Sequence, residues 1–325
     1  MLVTTKRRAI TAAAISFVVV FILAMYWWQT FDEHANLSNL FSKLNLSTAS
    51  NSDGIAVGDK VAVIVETRPL RVLIPLITHF AAVLGPEWPI LLFTRPSTVR
   101  TLAAFGQGSQ PFRRMVKAGQ VKIIELPTRS YLQNYEGISH FLASEWFWTQ
   151  LEPAKHMLLF QADSMICSSS GRRVEDFLEY DFIGATHPYF DDAFNGGLSL
   201  RNVTLSRQIA KMSNIADDIN NGTNLGLVED VWFCDKMKKL GARFPTQEKA
   251  AEFAVDYNWA ERPLGYHGIN KTANVERSDE IYAWCPEAQI AAASNDVLEL
   301  SEEERNSTNI VEDVEATGGR ILPFE

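Results

Sequence analysis

Gln161-Ala162-Asp163-Ser164, Asn195-Gly196-Gly197 and Glu229-Asp230 are short polar stretches, each set in apolar sequence. The first follows Met157 to Phe160, the second lies among Phe194, Leu198 and Leu200, and the third opens Val231-Trp232-Phe233. Ionised carboxylates are costly in such settings unless a metal, a partner or a substrate compensates them. Asp163 could hold a divalent cation through hard oxygen ligands, and a cation there neutralises charge on a leaving group. Gln161 stands where a second acidic residue would strengthen that site, and it offers a carbonyl oxygen instead. The alternative for Asp163 is a helix cap. Asn195-Gly196-Gly197 would let backbone approach a ligand, with Asn195 bonding a sugar hydroxyl, although Asn-Gly is also a hairpin signal. Glu229 and Asp230, early in a helix, could supply a general base, or could merely complement the helix dipole. His267, flanked by Gly265 and Gly268 in Pro263-Leu264-Gly265-Tyr266-His267-Gly268, could reach back as a metal ligand or lie exposed in a loop.

The elements that must position these residues alternate. Val61 to Val65 is a continuous apolar, β-branched run, the pattern of a strand buried on both faces. Val72 to Leu84 has helical spacing, with Pro75 near its start and Gly85-Pro86 as its stop. Strands are expected at Ile90–Phe93, Val121–Ile124 and Met157–Phe160, and helices at Thr98–Phe105, Pro111–Ala118 and Ser139–Leu151. The second half mixes short strands (Phe182–Gly184, Leu198–Leu200, Arg243–Phe244) with a helix over Leu225–Leu240. The alternation predicts an α/β fold with a largely parallel sheet, whose ligands bind beyond the carboxyl ends of the strands. Glu66-Thr67-Arg68, Thr94-Arg95 and Gln161-Ala162-Asp163 fall there. No glycine-rich dinucleotide or P-loop motif follows any strand.

The chain has 325 residues, a net charge of -9, 46% hydrophobic and 21% charged residues. That balance argues against a nucleic-acid binder. Lys6-Arg7-Arg8 precedes an uncharged run from Ile10 to Trp28, which spans roughly 28 Å as a helix. With Trp27 and Trp28 at its end, it reads as an uncleaved membrane anchor with a cytoplasmic N-terminus. Six sequons, at Asn36, Asn45, Asn202, Asn221, Asn270 and Asn306, agree with a secretory compartment. Cys167, Cys234 and Cys285 allow one disulfide at most, and Cys234 reads as core. The expected organisation is a cytoplasmic tail (1–9), a transmembrane signal anchor (10–28), a lumenal stem (29–58), a catalytic domain (59–290) and an acidic, solvated C-terminal tail (291–325).

Taken in order, QADS, NGGLSLRN, EDVWFC and PLGYHG resemble motifs of nucleotide-sugar-dependent glycosyltransferases of the GT-A fold, over roughly residues 60–287. The chain looks more closely like an uncharacterised fungal family of single-pass membrane proteins regarded as glycosyltransferases. The resemblance implies a Rossmann-like nucleotide-binding half and a mixed-sheet acceptor half. It implies that Glu66, Thr67 and Arg68, with Gln161, Asp163 and Ser164, meet the nucleotide donor, and that Asn195, Gly196 and Gly197 meet donor sugar and acceptor. Asp163 matches the second aspartate of the Asp-x-Asp motif and His267 the C-terminal metal ligand, so Mn²⁺ or Mg²⁺ is the implied cofactor. Glu229-Asp230 matches the base-bearing motif of inverting members, with Asp230 the base. Gln161 departs from the pattern. Some GT-A members neutralise the leaving phosphate with basic side chains, for which Arg68, Arg71 and Arg262 are the candidates. The expected function is hexosyl transfer from a nucleoside diphosphate sugar to a glycan or glycoprotein in the Golgi or endoplasmic reticulum. The rivals are an inactive lumenal scaffold and a metal-dependent hydrolase or nucleotidyltransferase.

Overall fold

Hydrophobic runs bounded by turn residues build the sheet. The computed structural model describes residues 58–127, 132, 134–190, 193–222, 228–299, 319–322 and 324, all within one compact unit, Asp53–Glu325. The strands are β1 (Lys60–Val65), β2 (Ile90–Thr94), β3 (Val121–Glu125), β4 (His156–Phe160), β5 (Met165–Ile166), β6 (Phe182–Thr186), β7 (Phe194–Asn202), β8 (Ala254–Val255) and β9 (Gly265–Tyr266). Six of them form a sheet in the order β3-β2-β1-β4-β7-β6, and β5-β9-β8 form a smaller one. β1 to β4 are mutually parallel, and β7 runs antiparallel to both β4 and β6. β6 therefore points the same way as β4. The result is a mixed α/β fold with a parallel-rich central sheet.

The first half carries α1 (Leu73–Leu84), α2 (Pro96–Ala104), α3 (Gln110–Lys117), α4 (Tyr135–Leu142) and α5 (Glu145–Thr149). The second carries α6 (Val203–Met212), α7 (Ile215–Asn220), α8 (Glu229–Lys239), α9 (Gln247–Phe253), α10 (Thr272–Val275), α11 (Ser278–Trp284) and α12 (Ala288–Ala292). Pro75 lies in the first turn of α1, where a missing N–H costs nothing. Phe80 of α1 stacks on Phe160 of β4 at 3.8 Å between ring centroids, seating the strand that leads to Asp163. Burying one such ring contributes roughly 1.5–3 kcal/mol.

Several expectations are corrected. The helix expected over Ser139–Leu151 is two, because the Ser144 hydroxyl accepts from the Phe147 N–H and caps a new start. Arg243–Phe244 is not a strand; the Asp181 N–H donates to the Arg243 carbonyl and the Arg243 N–H to the Asp181 carboxylate, which does not extend the ladder. Asn195-Gly196-Gly197 lies inside β7 rather than in a hairpin turn. The domain does not end at residue 290. The Leu298 N–H bonds the Pro69 carbonyl, and residues 319–322 return to pair with the outer edge of β3. Arg320 there forms a two-pronged bond with the buried Glu125 carboxylate.

Cys167 and Cys285 form a disulfide, and Cys234 is a free thiol that burial pushes up to about 12. Among the described residues no helix is long and apolar enough to cross a membrane. The expected anchor, residues 10–28, and all but Gly58 of the stem lie outside the described residues, as do Asn36, Asn45 and Asn306. Of the other sequons, Asn221 is exposed. Asn202 caps α6 and bonds Asp181, and Asn270 bonds Ser294, so these two amides are committed to the fold.

Candidate active site

From β1 the sheet grows through β2 and β3 on one side, while β4 lies on the other. The carboxyl ends of β1 and β4 thus flank a topological switch point, where open α/β sheets bind ligands. Glu66 follows β1 and is buried. Its two oxygens accept from Nε and Nη2 of Arg68 at 2.9 and 2.7 Å, and Oε1 also accepts the Arg68 N–H. Thr67 presents its carbonyl to the Thr98 hydroxyl. The hydrogen bonds to Glu66, and then the nearby charge of Asp163, hold the Arg68 guanidinium above its ordinary value. The charge of Asp163 thus reaches Arg68 across the switch point.

β4 leads into a tight turn fastened to β7. The Gln161 N–H and the Ser164 hydroxyl both donate to the Gly197 carbonyl, each at 2.8 Å. Ser164 is fully buried in this turn, so it shapes the turn and does not meet a donor as expected. Asp163, two residues on from Gln161, stays partly exposed.

His267 reaches Asp163 because β9 pairs antiparallel with β5, just downstream of it, and parallel with β8. The His267 N–H donates to the Val255 carbonyl, and the Asn274 amide donates to the carbonyls of His267 and Gly268. Nδ1 of His267 lies 3.1 Å from the buried Asp256 carboxylate, which assigns it the proton. Nε2 faces Gln161 Oε1 at 3.1 Å and Asp163 Oδ1 at 3.5 Å. Imidazole, amide oxygen and carboxylate converge there. Lys271 adds its ammonium 3.3 Å from Asp256. Burial opposes ionisation of Asp256, but His267 and Lys271 outweigh it and hold the carboxyl below the usual range.

Among the described residues no group of three or more His, Cys, Asp or Glu side chains is arranged to hold a metal ion. The set at the end of β4 has two such side chains, Asp163 and His267, and takes its third donor from the Gln161 amide. Carboxylate, imidazole and carbonyl facing one another suit Mn²⁺ or Mg²⁺, so the residues fit the implied cation.

Gly196 and Gly197 join this cluster to the acidic pair. Successive residues of a strand present their Cβ positions to opposite faces. A Cβ at Gly197 would overlap the His267 ring, whereas one at Gly196 would lie 2.6 Å from Arg201 Nη2 and 2.8 Å from Glu229 Oε1. Arg201 is fully buried and grips Glu229 with both terminal nitrogens, at 2.6 and 3.0 Å. Burial pushes the Glu229 carboxyl up, and the guanidinium opposes it. Glu229, expected as a catalytic residue, is instead the counter-ion of a buried arginine. Asp230 accepts the Gly196 N–H on Oδ2 at 2.8 Å and the Val231 N–H on Oδ1 at 2.7 Å, leaving each oxygen a second lone pair. Asn195 accepts the Gly197 N–H and is partly exposed.

Residues 120–267 match a family described as "Protein of unknown function (DUF5672)". The matched span runs from just before β3 to His267. It contains the polar stretches and Asp256, and excludes Glu66, Arg68 and Lys271. No curated protein matches the chain. Among solved structures, the chain is similar to the galactosyltransferase LgtC, crystallised with donor and acceptor sugar analogues. The two are 12% identical over 76% of this chain and 99% of that one, with a TM-score of 0.45. The glycosyltransferase GlyE of Streptococcus pneumoniae TIGR4 is 11% identical over 72% of this chain and 62% of its own, with a TM-score of 0.43. The bifunctional glycosyltransferase WbbM is 8% identical over 67% and 47%, with a TM-score of 0.40.

Three site residues escaped the sequence reading. Asp256 ends the apolar run Phe253-Ala254-Val255 just as Asp163 follows Met157 to Phe160, a signal that could have found it. Lys271 lies four residues after His267, and Arg201 is a charge closing the short segment Leu198-Ser199-Leu200. Two proposed phosphate cations are engaged elsewhere: Arg71 pairs with Asp296, and the Arg262 guanidinium lies over the Trp284 ring.

Proposed function

We propose that this chain is a nucleotide-sugar-dependent glycosyltransferase, moving a hexose from a nucleoside diphosphate sugar to a hydroxyl of a glycan or glycoprotein. The observation that carries this reading is the convergence of Asp163, Gln161 and His267 at the switch point, with Arg68 across it and Lys271 beside it. This arrangement offers charge compensation to a diphosphate. Mn²⁺ or Mg²⁺ held by Asp163 and His267, with the Gln161 carbonyl, would supply positive charge to the leaving diphosphate. Arg68 and Lys271 add fixed positive charge. Asp256 fixes the His267 tautomer. Asn195, Gly196 and Gly197 give the sugar a close backbone wall.

In direct displacement the acceptor oxygen forms its bond to the anomeric carbon as the bond to the diphosphate oxygen breaks. The base must then lie on the side of the sugar away from the leaving group. The Gly196–Gly197 step, which turns one residue toward Asp230 and the next toward His267, supports Asp230 as the group that takes the acceptor proton, with inversion. The apolar run behind Lys6-Arg7-Arg8, and a disulfide of the kind that persists in oxidising compartments, support a single-pass type II protein of the Golgi or endoplasmic reticulum with its catalytic domain in the lumen.

The full-length chain in detergent, offered a panel of nucleoside diphosphate sugars with and without Mn²⁺, should release nucleoside diphosphate. Release of pyrophosphate instead would indicate nucleotidyl transfer, and absence of both turnover and donor binding would leave only a binding protein. Asp163→Asn should abolish the dependence on Mn²⁺, and Asp230→Asn should remove transfer while donor affinity stays.

A further inference from the structure

Beyond β7 the edge of the sheet that carries the charged cluster changes character. β6 runs parallel to β4, so its carboxyl end lies at the same edge as Gln161. The residues that follow it are His187, Pro188, Tyr189 and Phe190. Of the three exposed tyrosines among the described residues, two lie here: Tyr189 is 78% exposed and Tyr257, adjacent to Asp256, is 43% exposed. Aromatic rings of this size are normally covered, and two left bare beside a charged cluster call for an occupant.

Their surroundings are ordered. The His187 ring meets the Tyr189 ring edge-on at 5.9 Å and Phe190 at 5.0 Å, and its Nδ1 accepts the Tyr189 N–H. The Asn258 amide bonds the Thr186 hydroxyl, which joins the end of β6 to the segment bearing Asp256 and Tyr257. The Lys271 ammonium lies 5.8 Å from the Tyr257 ring centre, so the aromatic patch borders the proposed diphosphate site. Burial holds His187 toward its neutral form, and Asp256 and Lys271 act on it in opposite senses.

We propose that Tyr189 and Tyr257 form the acceptor subsite, a platform on which the apolar C–H face of a neutral pyranose ring stacks. The platform suits an uncharged sugar because its rings offer apolar π-faces to ring C–H groups and carry no charge of their own. This inference rests on the glycosyl-transfer reading and assigns it a substrate class.

Two measurements test it. In the first, methyl glycosides of glucose, galactose and mannose are titrated against the full-length chain by saturation-transfer NMR, without donor. The wild type should show transfer to ring C–H protons of at least one glycoside, and Tyr189→Ala/Tyr257→Ala should lose it. In the second, acceptor KM and donor hydrolysis by water are followed together. Each alanine variant should raise KM at least about tenfold, the scale of one lost aromatic contact, and leave hydrolysis unchanged. Tyr189→Phe, which keeps the ring, should stay within about twofold. Failure of the wild type to bind any of the glycosides, or binding by the double variant equal to wild type, overturns the platform. An equal fall in hydrolysis would place the tyrosines on the donor instead and overturns it as well. Failure of the transferase reading itself shows separately, as absence of donor binding by the wild type.

Discussion

Gly197 and His267 contend for one volume: a Cβ on Gly197 would overlap the imidazole at Nε2, Cδ2 and Cε1. The ring is held behind by Asp256 and its main chain by Val255, so it cannot yield freely. Gly197→Ala should therefore lower donor turnover by about a hundredfold, the usual result of misplacing a site group by about 1 Å. The far-ultraviolet circular dichroism should be unchanged, and turnover at the wild-type level would show that the ring has room to move.

Arg201 and Glu229 make a different kind of pair, buried, with the Arg201 guanidinium 4.6 Å over the Phe182 ring. Removing one partner leaves a buried charge uncompensated, which costs about 3–5 kcal/mol. Glu229→Gln should lose stability on that scale in urea unfolding. Arg201→Met/Glu229→Gln should recover part of the loss, because no lone charge remains. A double variant as unstable as the sum of the two single changes would argue that packing, not charge, is at stake.

Asp256 stands behind His267, 3.1 Å from Nδ1, where it would orient the imidazole for the proposed cation. Asp256→Asn should weaken Mn²⁺ binding about 10- to 100-fold in calorimetric titrations with nucleoside diphosphate present. Unaltered affinity would detach His267 from the cation.

Glu175 supplies a pH signature far from catalysis. Burial pushes its carboxyl up, but the Trp88 indole N–H at 2.7 Å and the Lys60 ammonium at 3.0 Å outweigh burial and hold it below the usual carboxylate range. A depressed carboxyl stabilises the fold above its unfolded value, and the stabilisation fades as pH falls through the folded value. Glu175→Gln should thus cost about 1 kcal/mol at neutral pH, and the gap in urea midpoints should narrow in acid. A gap that widens in acid would reverse the sign of the interaction.

The sheet was readable because strands buried on both faces are continuous apolar runs, as in Val61 to Val65, and those runs needed no tertiary information. β7 was harder. Its glycines break the pattern, and their reason for being there, the close approach of His267 and of Arg201, is visible only once β9 and α8 are folded against them. Asp163 and His267 could be named as candidates from their types and setting, and Asp256 carries the same local signal, but what Asp256 and Lys271 do could not be read there. Their role comes from the meeting of β8 and β9 with the end of β4, a contact between segments about a hundred residues apart in the chain. The same distance explains Glu229. A carboxylate in the first turn of a helix resembles a base until a buried guanidinium arrives to claim it.

β3 is the outermost strand on its side of the sheet, and the Glu125 N–H, the Glu125 carbonyl and the Ile123 carbonyl all find partners in residues 319–322. The protein thus covers its own open flank with the end of its own chain, where a second molecule could otherwise add a strand. Shortening the carboxyl terminus, or burdening it with a fusion, then becomes an intervention in solubility: the first symptom to expect is self-association, with the chemistry at the far strands still intact.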